Sequence, residues 1–378
     1  MEKRLKEYAH EQGLGLLGIT SAENFEAYKL ILESRIATGR QSPFEEKDLL
    51  RRLSPKSLLP GAKSIISLAV PYSGGPQEPA DGEGVLRGYI SLFARGHDYH
   101  RVLKERLALI VRFLKQESGT DFNYLTFVDN GPPLERAIAV RAGLGWSGSN
   151  CCLLTPQYGS WVHLGEIICD LELQPDTALQ KDCGDCRNCL EACPTGALLE
   201  PGVLDPYRCL SYWTQAGGYI PPEIRPALSN RIYGCDTCQS VCPVNIKAAQ
   251  RGLQVGLKKN YCNASLIEAE PLLLPILNLS NKGFRNVFGE TSVAWRGRKT
   301  IQRNALVALG NSRDEQAAAV LIRFLTDPRP EIRGHAAWSL GRLRNKKARI
   351  ELNKAYHKES DPIVKKEIEK ALEVEYNS

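Results

Sequence analysis

Eight of the twelve cysteines lie between Cys183 and Cys242, in two groups separated by Cys209. The first group has the pattern Cys-x2-Cys-x2-Cys-x3-Cys-Pro over 183–194, and the second has Cys-x2-Cys-x3-Cys-Pro over 235–243. The first pattern matches in full the bacterial ferredoxin run, in which the fourth cysteine binds the other of two [4Fe–4S] clusters. Zinc is the alternative, because Cys-x2-Cys pairs also bind Zn²⁺. Four cysteines within eleven residues, and a proline after each group, favour two iron–sulfur clusters.

The crossed-ligand rule divides these cysteines into two predicted sets of four, which Cys209 completes. The first set is Cys183, Cys186, Cys189 and Cys242, and the second is Cys193, Cys209, Cys235 and Cys238. The other four cysteines have no partners at useful spacing and are interpreted as packing residues, namely Cys151, Cys152, Cys169 and Cys262. Because two such clusters transfer single electrons, the protein is either an electron carrier or an enzyme whose clusters supply a second cofactor.

An aspartate at position 129 is the other residue whose setting indicates chemistry. The segment LTFVDNGPPLERAIAVRAGLG (125–145) predicts a strand that ends at Asp129 and a helix that begins after Pro133. A carboxylate at a strand end faces the crevice where α/β folds bind ligands, and against an apolar ligand a raised pKa would let it donate a proton. The same position suits the N-cap of the following helix, and the pattern alone favours that role.

Two common cofactor motifs are absent from the sequence. No G-x-G-x-x-G links a strand to a helix, which leaves a nicotinamide site unsupported, and no G-x-x-x-x-G-K-[ST] phosphate loop occurs. His97 and His100 form the only close histidine pair, and we interpret them as capping or solvent-exposed residues rather than metal ligands.

The elements that must position these residues predict three domains, so the predicted fold class is multidomain α+β. Residues 1–177 alternate apolar β-branched runs with helical patterns, which indicates an α/β domain. Strand patterns occur at 14–20, 64–70, 124–128 and 161–173, and the clearest helix pattern spans 98–117. Residues 178–247 predict a ferredoxin-like domain with little regular structure, which bound metal would stabilise.

Residues 248–378 contain an internal helical repeat. RNALVALGN (303–311) is echoed by RGHAAWSLGRL (333–343), with Leu-Gly pairs 31 residues apart, and VKKEIEKALEV (364–374) is a weaker copy. This period and the small residues on one helix face indicate HEAT-like repeats, with a plain helical bundle as the alternative. From residue 251 onwards, 23 Lys and Arg stand against 14 Asp and Glu. This surplus suits a polyanionic partner such as nucleic acid, although a solvated helical surface explains it equally well.

Length and composition set wider limits. The 378 residues exceed one compact core, and 43% hydrophobic with 24% charged residues is typical of a globular protein. No apolar run approaches the roughly 18 residues that span a bilayer, and the charged start MEKRLKEYAHEQ lacks the apolar core of a signal peptide. We therefore expect a cytoplasmic protein, whose thiols stay reduced and bind metal rather than form disulfides.

Taken together, these motifs resemble the epoxyqueuosine reductase family over nearly the whole chain. The resemblance is carried by SPKSLLPGAKSIISLAVPY (54–72), YISLFARGHDYH (89–100), FVDNGPPLERAIAVRAGLGWSGSN (127–150), GEIICDLEL (165–173), CGDCRNCLEACPTGAL (183–198), RCLSYWT (208–214) and NRIYGCDTCQSVCPVN (230–245). It implies an oxidoreductase that reduces epoxyqueuosine to queuosine at the wobble position of tRNA. It further implies that 1–177 binds cobalamin, that the two clusters deliver electrons to cobalt from an external donor, and that 248–378 binds tRNA.

The resemblance also implies roles for individual residues. Asp129 falls on the family's proton donor, which places catalysis ahead of the N-cap role. Cobalamin contacts are suggested for Arg52, Tyr99, Asp129, Arg136, Ser211 and Asp236. No D-x-H-x-x-G motif occurs, so no protein histidine is expected beneath the cobalt. The predicted tRNA contacts are the basic residues Lys282, Arg285, Arg296, Arg298, Lys299 and Arg303.

Two other functions compete with this one. A protein like the reductive dehalogenases would also pair cobalamin with two clusters, but a small organohalide needs neither helical repeats nor a basic C-terminal region. A non-enzymatic electron carrier with a helical docking module would bind neither cobalamin nor tRNA.

Overall fold

The computed structural model describes residues 1–72, 86–251 and 266–373. These residues form two compact units. The first unit contains 1–72, 96–207 and 236–251, and the second contains 86–95, 208–235 and 266–373. The three predicted domains remain a prediction, since contacts group the described residues into units that cross the predicted boundaries.

The described residues form ten strands and seventeen α-helices, with short 3-10 helices between them. The strands are β1 (Leu16–Ser21), β2 (Ser64–Pro71), β3 (Tyr89–Ile90), β4 (Tyr124–Phe127), β5 (Trp146–Ser147), β6 (Leu153–Leu154), β7 (Val162–Cys169), β8 (Leu198–Glu200), β9 (Val203–Leu204) and β10 (Arg231–Tyr233). The helices are α1 (Glu2–Glu11), α2 (Lys29–Ala37), α3 (Leu49–Leu53), α4 (Pro55–Leu58), α5 (Tyr99–Ser118), α6 (Glu135–Arg141), α7 (Asn188–Glu191), α8 (Leu210–Gln215), α9 (Thr237–Ser240), α10 (Pro243–Gln250), α11 (Leu273–Asn278), α12 (Asn281–Phe288), α13 (Gly297–Ser312), α14 (Ala318–Arg323), α15 (Pro330–Leu343), α16 (Lys346–Lys358) and α17 (Pro362–Glu373). The 3-10 helices include Glu26–Tyr28, Leu92–Ala94, Pro206–Arg208, Pro226–Leu228, Ser292–Arg296, Glu315–Ala317 and Phe324–Thr326.

A four-stranded sheet organises the first unit, in the order β1-β2-β7-β4. All three pairings are antiparallel, and every residue of the central strand β2 is buried. The apolar, β-branched composition of these strands suits such a buried position. The four strand patterns found in the sequence are thereby confirmed. Because the sheet is antiparallel, the ligand rule for the carboxyl ends of parallel strands does not apply to Asp129, which reaches its position through a turn instead.

The helices α5 and α6 cover opposite faces of this sheet. A side chain at Gly165 of β7 would meet Leu103 of α5 at 2.8 Å, so this helix packs directly over that glycine. Leu164, on the alternate face of β7, packs with Ala139 of α6. Both helices begin at the same end of β4, and the chain that joins β4 to α6 therefore passes close to both N-termini.

Three helices that carry the sequence repeat stack side by side in the second unit. A Cβ at Gly310 of α13 would lie 2.8 Å from the Cα of Ser339 in α15, and one at Gly341 of α15 would lie 2.9 Å from the Cα of Ala371 in α17. The repeated Leu-Gly pairs thus mark the places where successive helices approach most closely. The buried core of this unit runs through these helices without interruption, as the repeat predicts.

Polar side chains of α13 hold the segment 208–235 within the second unit. Asn304 donates hydrogen bonds to the carbonyls of Thr214 and Ile232 at 2.7 and 2.8 Å. Asn311 donates to the carbonyls of Arg225 and Ser229 at 2.8 and 3.0 Å. This segment therefore depends on α13 for its shape, because it has little regular structure of its own.

Length and hydropathy decide whether a helix could cross a bilayer. No helix in the described part of the chain is both long enough and apolar enough to cross a membrane.

Candidate active site and cluster-binding residues

Asp129 occupies a tight turn between β4 and α6. Its backbone has φ of 54°, in the left-handed region, and the Asn130 N–H donates to the Val128 carbonyl at 2.5 Å across it. Three-residue turns with a positive φ at the centre are rare and strained, although aspartate tolerates this region better than most residues. Leu134 takes the N-cap position of α6, so the structure rules out the alternative in which Asp129 caps that helix.

The Asp129 carboxylate points at the N-terminus of α5. Tyr99 donates its hydroxyl to Oδ2 at 2.8 Å, and His100 Nε2 lies 3.4 Å from the same oxygen. The other ring nitrogen of His100 is 2.7 Å from Oδ1 of Asp98, the N-cap of α5. The Asp129 side chain is 55% exposed, so its second face remains open to a ligand.

The carboxylates around His100 favour a proton on its ring, next to Asp129. Burial alone lowers the pKa of His100, but hydrogen bonds to Asp129 and Asp98 outweigh it and raise the pKa to about 9. Desolvation raises the pKa of Asp129, but the hydrogen bonds from His100 and Tyr99 outweigh it and the pKa falls below its ordinary value. These pKa shifts favour an imidazolium beside a carboxylate at neutral pH, and Asn130 Nδ2 also lies 2.9 Å from His100 Nε2.

Two further carboxyl groups lie on the other side of the turn. The Asp129 N–H donates to Oε1 of Glu135, the first residue of α6, at 2.5 Å. Glu166 of β7 is fully buried, with 0% exposure. Burial, and then the charge of Asp129, raise the pKa of Glu135 to about 7. Burial, and then the charge of Glu135, raise the pKa of Glu166 well above its ordinary value.

A row of aromatic rings extends from His100 across the same face of the sheet as α5. The ring of Tyr99 stacks on that of His100 at 4.2 Å and on that of His163 at 4.2 Å. Tyr72 continues the row, with its ring 4.5 Å from that of His163. Tyr99 is thus held between two rings, and the buried Tyr72 and His163 support it from beneath, which fixes its hydroxyl beside the exposed Asp129 carboxylate.

The four cysteines of the first predicted cluster lie around one cavity of the first unit. The cavity is lined by Ser149, Asn150, Leu154, Cys183, Cys186, Asn188, Cys189, Cys242 and Pro243. The Ser149 N–H points to the Cys183 sulfur at 3.4 Å, and Trp146 packs against Cys242. Burial raises the pKa of Cys189 to about 11 and also raises that of Cys242. Thiols in such a place become thiolates when a metal centre binds, and the donor set fits an iron–sulfur cluster.

The cysteines of the second predicted cluster belong to different parts of the chain. Cys193 and Cys238 lie in the first unit, whereas Cys209 and Cys235 lie in the second, where Cys209 is the N-cap of α8. The Ala197 N–H donates to the Cys193 sulfur at 3.2 Å. Burial raises the pKa of Cys193, but backbone N–H donors outweigh burial and lower it. Hydrogen bonds of this kind stabilise a thiolate ligand.

Among the cysteines outside the predicted clusters, one has the burial expected of a packing residue. Cys169 is fully buried in β7 and its pKa is raised to about 11 by burial. Cys151 and Cys152 are partly buried, and Cys262 lies outside the described residues.

The four other predicted cobalamin contacts differ in their burial and in the bonds that their side chains form within the protein. Arg52 forms an ion pair with Glu45 at 2.7 Å, and Arg136 donates to the Cys151 carbonyl. Ser211 is partly buried in α8, and Asp236 is buried, with 2% exposure. These four residues remain predicted cobalamin contacts.

The predicted tRNA contacts divide into exposed and buried residues. Lys282 and Arg285 are exposed on α12, and Lys299 is exposed with an ion pair to Glu331. Arg296 lies over the exposed ring of Trp295 at 3.4 Å, and Arg298 is partly buried and donates to a backbone carbonyl.

Arg303 does not fit the predicted contact with phosphate. It is 1% exposed, and its guanidinium donates to the carbonyls of Trp213, Ala216 and Gly218 at 2.7 to 2.8 Å. It therefore stabilises the segment that α13 holds, in a place that a tRNA backbone does not reach. The count of basic residues could not reveal this, because it carries no information on which helix face is buried.

Sequence reasoning missed three residues of the Asp129 site, which are His100, Glu135 and Glu166. His100 was interpreted as a cap or an exposed residue, and only the fold brings it to Asp129. Glu166 did leave a signal, since it is one acidic residue in the apolar strand VHLGEIIC (162–169). A buried carboxyl group in such a strand usually has a specific partner.

Comparisons with known proteins agree across the chain. Residues 52–130 match the family model described as "Epoxyqueuosine reductase QueG, DUF1730". Residues 182–245 match the "4Fe-4S double cluster binding domain", and residues 296–373 match "HEAT repeats". These matches confirm the predicted cluster-binding region and the helical repeats, and they decide against zinc and against a plain bundle.

Relatives and solved structures extend the similarity to the full length. The chain is 42% identical to the epoxyqueuosine reductase of Bacillus subtilis (strain 168), over 99% of this chain and 96% of the relative. It is similar to a crystal structure of epoxyqueuosine reductase with an epoxyqueuosine-modified tRNA-Tyr stem loop, with TM-score 0.90, 42% identity, and coverage of 99% of this chain and 98% of that one. A Bacillus subtilis structure whose catalytic aspartate loop is swung out of the active site matches with TM-score 0.91, at the same identity and coverage.

Proposed function

The chain belongs to the epoxyqueuosine reductase family of oxidoreductases, and on that basis we propose that it reduces epoxyqueuosine to queuosine in cytoplasmic tRNA. The reaction consumes two electrons and two protons, converts the epoxide carbons to a C=C bond, and releases the oxygen as water. A protein for this reaction needs a source of single electrons, a group that delivers them to carbon, and a proton donor near the epoxide oxygen.

The observation that carries the proposal is that the Asp129 carboxylate is half-exposed and that His100, whose raised pKa favours its protonated form, lies behind it. Negative charge develops on oxygen as a C–O bond breaks, and a positioned acid that quenches it contributes roughly 10² to 10⁴ in rate. Asp129 faces the ligand side, and His100 lies 3.4 Å behind it. We therefore assign proton transfer to Asp129 and replacement of that proton to His100.

Cobalamin is the proposed second cofactor, and the residues around Asp129 fit it. The half-exposed Asp129 carboxylate offers a hydrogen-bonding group to the polar edge of a large ring system, and the stacked rings of Tyr72, His163 and Tyr99 fix the residues beside it. The side chains proposed to hold the cofactor are Arg52, Tyr99, Asp129, Arg136, Ser211 and Asp236. When bound, cobalamin would supply a low-valent cobalt that transfers electrons to the substrate carbon, which no amino-acid side chain is able to do.

Two [4Fe–4S] clusters are the proposed electron source, within the region that matches a double-cluster domain. One would be bound by Cys183, Cys186, Cys189 and Cys242, which line a common cavity. The other would be bound by Cys193, Cys209, Cys235 and Cys238. The clusters receive electrons from an external donor and pass them on one at a time.

The proposed macromolecular partner is tRNA that carries epoxyqueuosine in its anticodon. A relative of 42% identity has been crystallised with such a modified stem loop, which supports the same substrate for this chain. Basic residues of the second unit would bind phosphates, and among them Lys282, Arg285 and Lys299 are exposed. The proposed set is Lys282, Arg285, Arg296, Arg298 and Lys299, without the buried Arg303.

The experiment that tests the proposal is a reconstituted reaction with analysis of the product nucleosides. Purified protein with both clusters rebuilt is incubated with cobalamin, a chemical reductant and tRNA that carries epoxyqueuosine. After digestion, mass spectrometry should find queuosine only when protein, cobalamin and reductant are all present. Failure to form queuosine with full cluster content would contradict the proposal, and an electron carrier would also leave cobalamin and tRNA unbound.

A further inference from the structure

A pair of carboxyl groups lies behind the Asp129 turn, in a place that the proposed reaction does not require. Glu166 is at the centre of the sheet, opposite Ser67 of β2 and Phe127 of β4. Within the described residues, neither of its oxygens has a hydrogen-bond partner, and the charged side chain that acts on it most strongly is Glu135. A polar group with 0% exposure needs a partner, so the contact with Glu135 matters for Glu166.

A proton held between the two carboxyl groups would give Glu166 the partner that it needs. The charged groups that act on Glu166 are Glu135 and Asp129, both acidic, so an ionised Glu166 would be a buried anion among anions. Burial therefore keeps Glu166 protonated at neutral pH, as its raised pKa indicates. A neutral acid has one O–H to donate, and the Glu135 carboxylate is the acceptor that it meets.

The Glu135 carboxylate also binds the backbone of the catalytic turn. Its Oε1 accepts the Asp129 N–H at 2.5 Å, and this N–H belongs to the residue whose φ is 54°. The left-handed region is unfavourable for a non-glycine residue, so the turn needs contacts that hold it. Tyr99 and His100 hold the side chain from the α5 side, and Glu135 holds the backbone from the α6 side.

Building on the proposed function, we propose that Glu135 is a positioning residue for the reduction. Its carboxylate accepts the Asp129 N–H at 2.5 Å and holds the turn so that the Asp129 carboxyl stays beside Tyr99 and His100. A solved relative has its catalytic aspartate loop swung out of the active site. We take the Asp129 turn as the corresponding loop here, and Glu135 as the residue that keeps it in.

This arrangement makes the turn sensitive to pH. The groups that act on Glu135 are Glu166 from β7, Asp129 from the turn, Arg136 from α6 and His100 from α5. Its pKa of about 7 means that it gains a proton as the pH falls through that value. A neutral carboxyl group is a weaker acceptor than a carboxylate, so the turn is held above pH 7 and loosens below it.

The test is hydrogen–deuterium exchange of the amides at 128–131, in protein with both clusters but without cobalamin or tRNA. Glu135→Ala should lower the protection of the Asp129 amide tenfold or more, because a hydrogen bond to a charged group is lost. Glu135→Gln keeps an acceptor oxygen and should retain most of the protection while abolishing its change near pH 7. Glu172→Ala, at a glutamate whose side chain is 83% exposed, is the matched control and should change nothing.

Two variants at Glu166 test the role of its proton. Glu166→Gln retains an N–H that donates to Glu135 and should behave like the unmodified protein. Glu166→Leu removes the donor, so the pKa of Glu135 should rise and the pH at which protection is lost should move upward. Unchanged cluster absorbance and thermal unfolding would establish that these variants are folded.

Turnover separates positioning from chemistry. Glu135→Ala should lower kcat about 10- to 100-fold with less than a threefold change in KM, and Glu135→Gln should restore most of kcat at pH 8. The proposal is overturned if Glu135→Ala leaves the exchange at 128–131 unchanged, or if Glu135→Gln loses kcat with normal exchange. Because exchange is measured without substrate, it tests Glu135 even if the unmodified protein formed no queuosine, which would overturn the proposed function instead.

Discussion

Asp129 is the residue proposed to donate the proton, and its neighbour His100 is proposed to hold that proton. The carboxyl group lies in a turn with positive φ, where Tyr99 and His100 stabilise its ionised form. His100 is bonded by two aspartates, one on each ring nitrogen, and this raises its pKa to about 9. The proton is therefore stored 3.4 Å from Asp129 and reaches the substrate through it. The raised pKa that the sequence pattern suggested requires an apolar ligand against Asp129, and the hydrogen bonds from His100 and Tyr99 act in the opposite direction.

The titration of His100 should report this pairing directly. In the unmodified protein the imidazolium should persist until the pH rises through about 9. In Asp129→Asn the pKa should fall towards its ordinary value, because one of the two bonded carboxylates is gone, while Asp98 still prevents a full return. Nitrogen NMR of labelled histidine measures both values. Equal pKa values in the two proteins would mean that His100 does not hold its proton for Asp129.

Cys209 is the isolated member of its predicted cluster set, so its replacement is the sharpest test of the ligand assignment. Cys209→Ser should lose iron from one cluster and keep the other, which lowers the iron content from about eight to about four per chain. Cys169→Ser serves as a control at a buried cysteine outside both sets. If Cys209→Ser kept eight irons and an unchanged electron paramagnetic resonance spectrum after reduction, another residue would complete that cluster.

The spacing of the cysteines allowed the cluster ligands to be predicted from the sequence. The neighbours of Asp129 could not be predicted in this way. Seven of the eight predicted ligands fall in two short cysteine patterns, and the first of these matches the bacterial ferredoxin run. The contact between Asp129 and His100 joins the turn before α6 to the N-terminus of α5, and it exists only because α5 and α6 flank one end of the sheet. No periodicity in the chain encodes that meeting.

At the scale of elements, the repeated glycines fix how closely the helices of the second unit pack. Gly310 of α13 leaves no room for a side chain, since a Cβ there would lie 2.8 Å from the backbone of α15. Gly283 of α12 has only ordinary contacts at 3.4 Å or beyond. The two positions are a matched pair, because both are glycines within helices of the same unit.

Alanine at these two glycines should have opposite effects. Gly310→Ala should destabilise the protein by about 1 to 3 kcal/mol, because α13 and α15 must separate. Gly283→Ala should be neutral or stabilise it by up to about 1 kcal/mol, since alanine favours the helix. Thermal unfolding measures both changes. A loss of stability at Gly283 as large as that at Gly310 would show that the close approach of the repeats is not the cause.

The repeat was predictable because it is periodic, and Arg303 was not because burial depends on the partner of a helix face. The 31-residue spacing of the Leu-Gly pairs is visible in the sequence and reappears as helix contacts. Arg303 precedes the first pair and looked like one more basic residue of a charged stretch. Its guanidinium instead donates hydrogen bonds to backbone carbonyls of the segment 208–235, which contains Cys209.

At the scale of the whole molecule, the uneven charge points to how the substrate is bound. From residue 251 onwards, basic residues outnumber acidic ones by 23 to 14, and several of the basic side chains are exposed on α12 and around α13. A protein that binds phosphates releases counterions from the nucleic acid, so its affinity falls steeply with salt. A basic surface without such a role would show no such dependence.

Removal of two exposed charges should change the salt dependence of tRNA binding in a defined way. In a plot of log affinity against log salt, each phosphate contact contributes a slope of roughly 0.7 to 0.9. Replacing Lys282 and Arg285 together by alanine should therefore reduce the slope by about 1.5, whereas Lys3→Ala, at an exposed lysine of α1, should not change it. Fluorescence anisotropy with labelled tRNA measures the slopes. Equal slopes would remove these two residues from the interface.

The central claim is that Asp129 delivers the proton for epoxide reduction, and single-turnover formation of queuosine by Asp129→Asn tests it most directly. The variant should keep both clusters and bind cobalamin, as its absorption spectrum would show, because asparagine preserves the shape of the side chain. We predict that its rate falls at least about 100-fold, the contribution expected of a positioned acid. A rate within a few-fold of the unmodified protein, with the same cofactor content, would contradict the account.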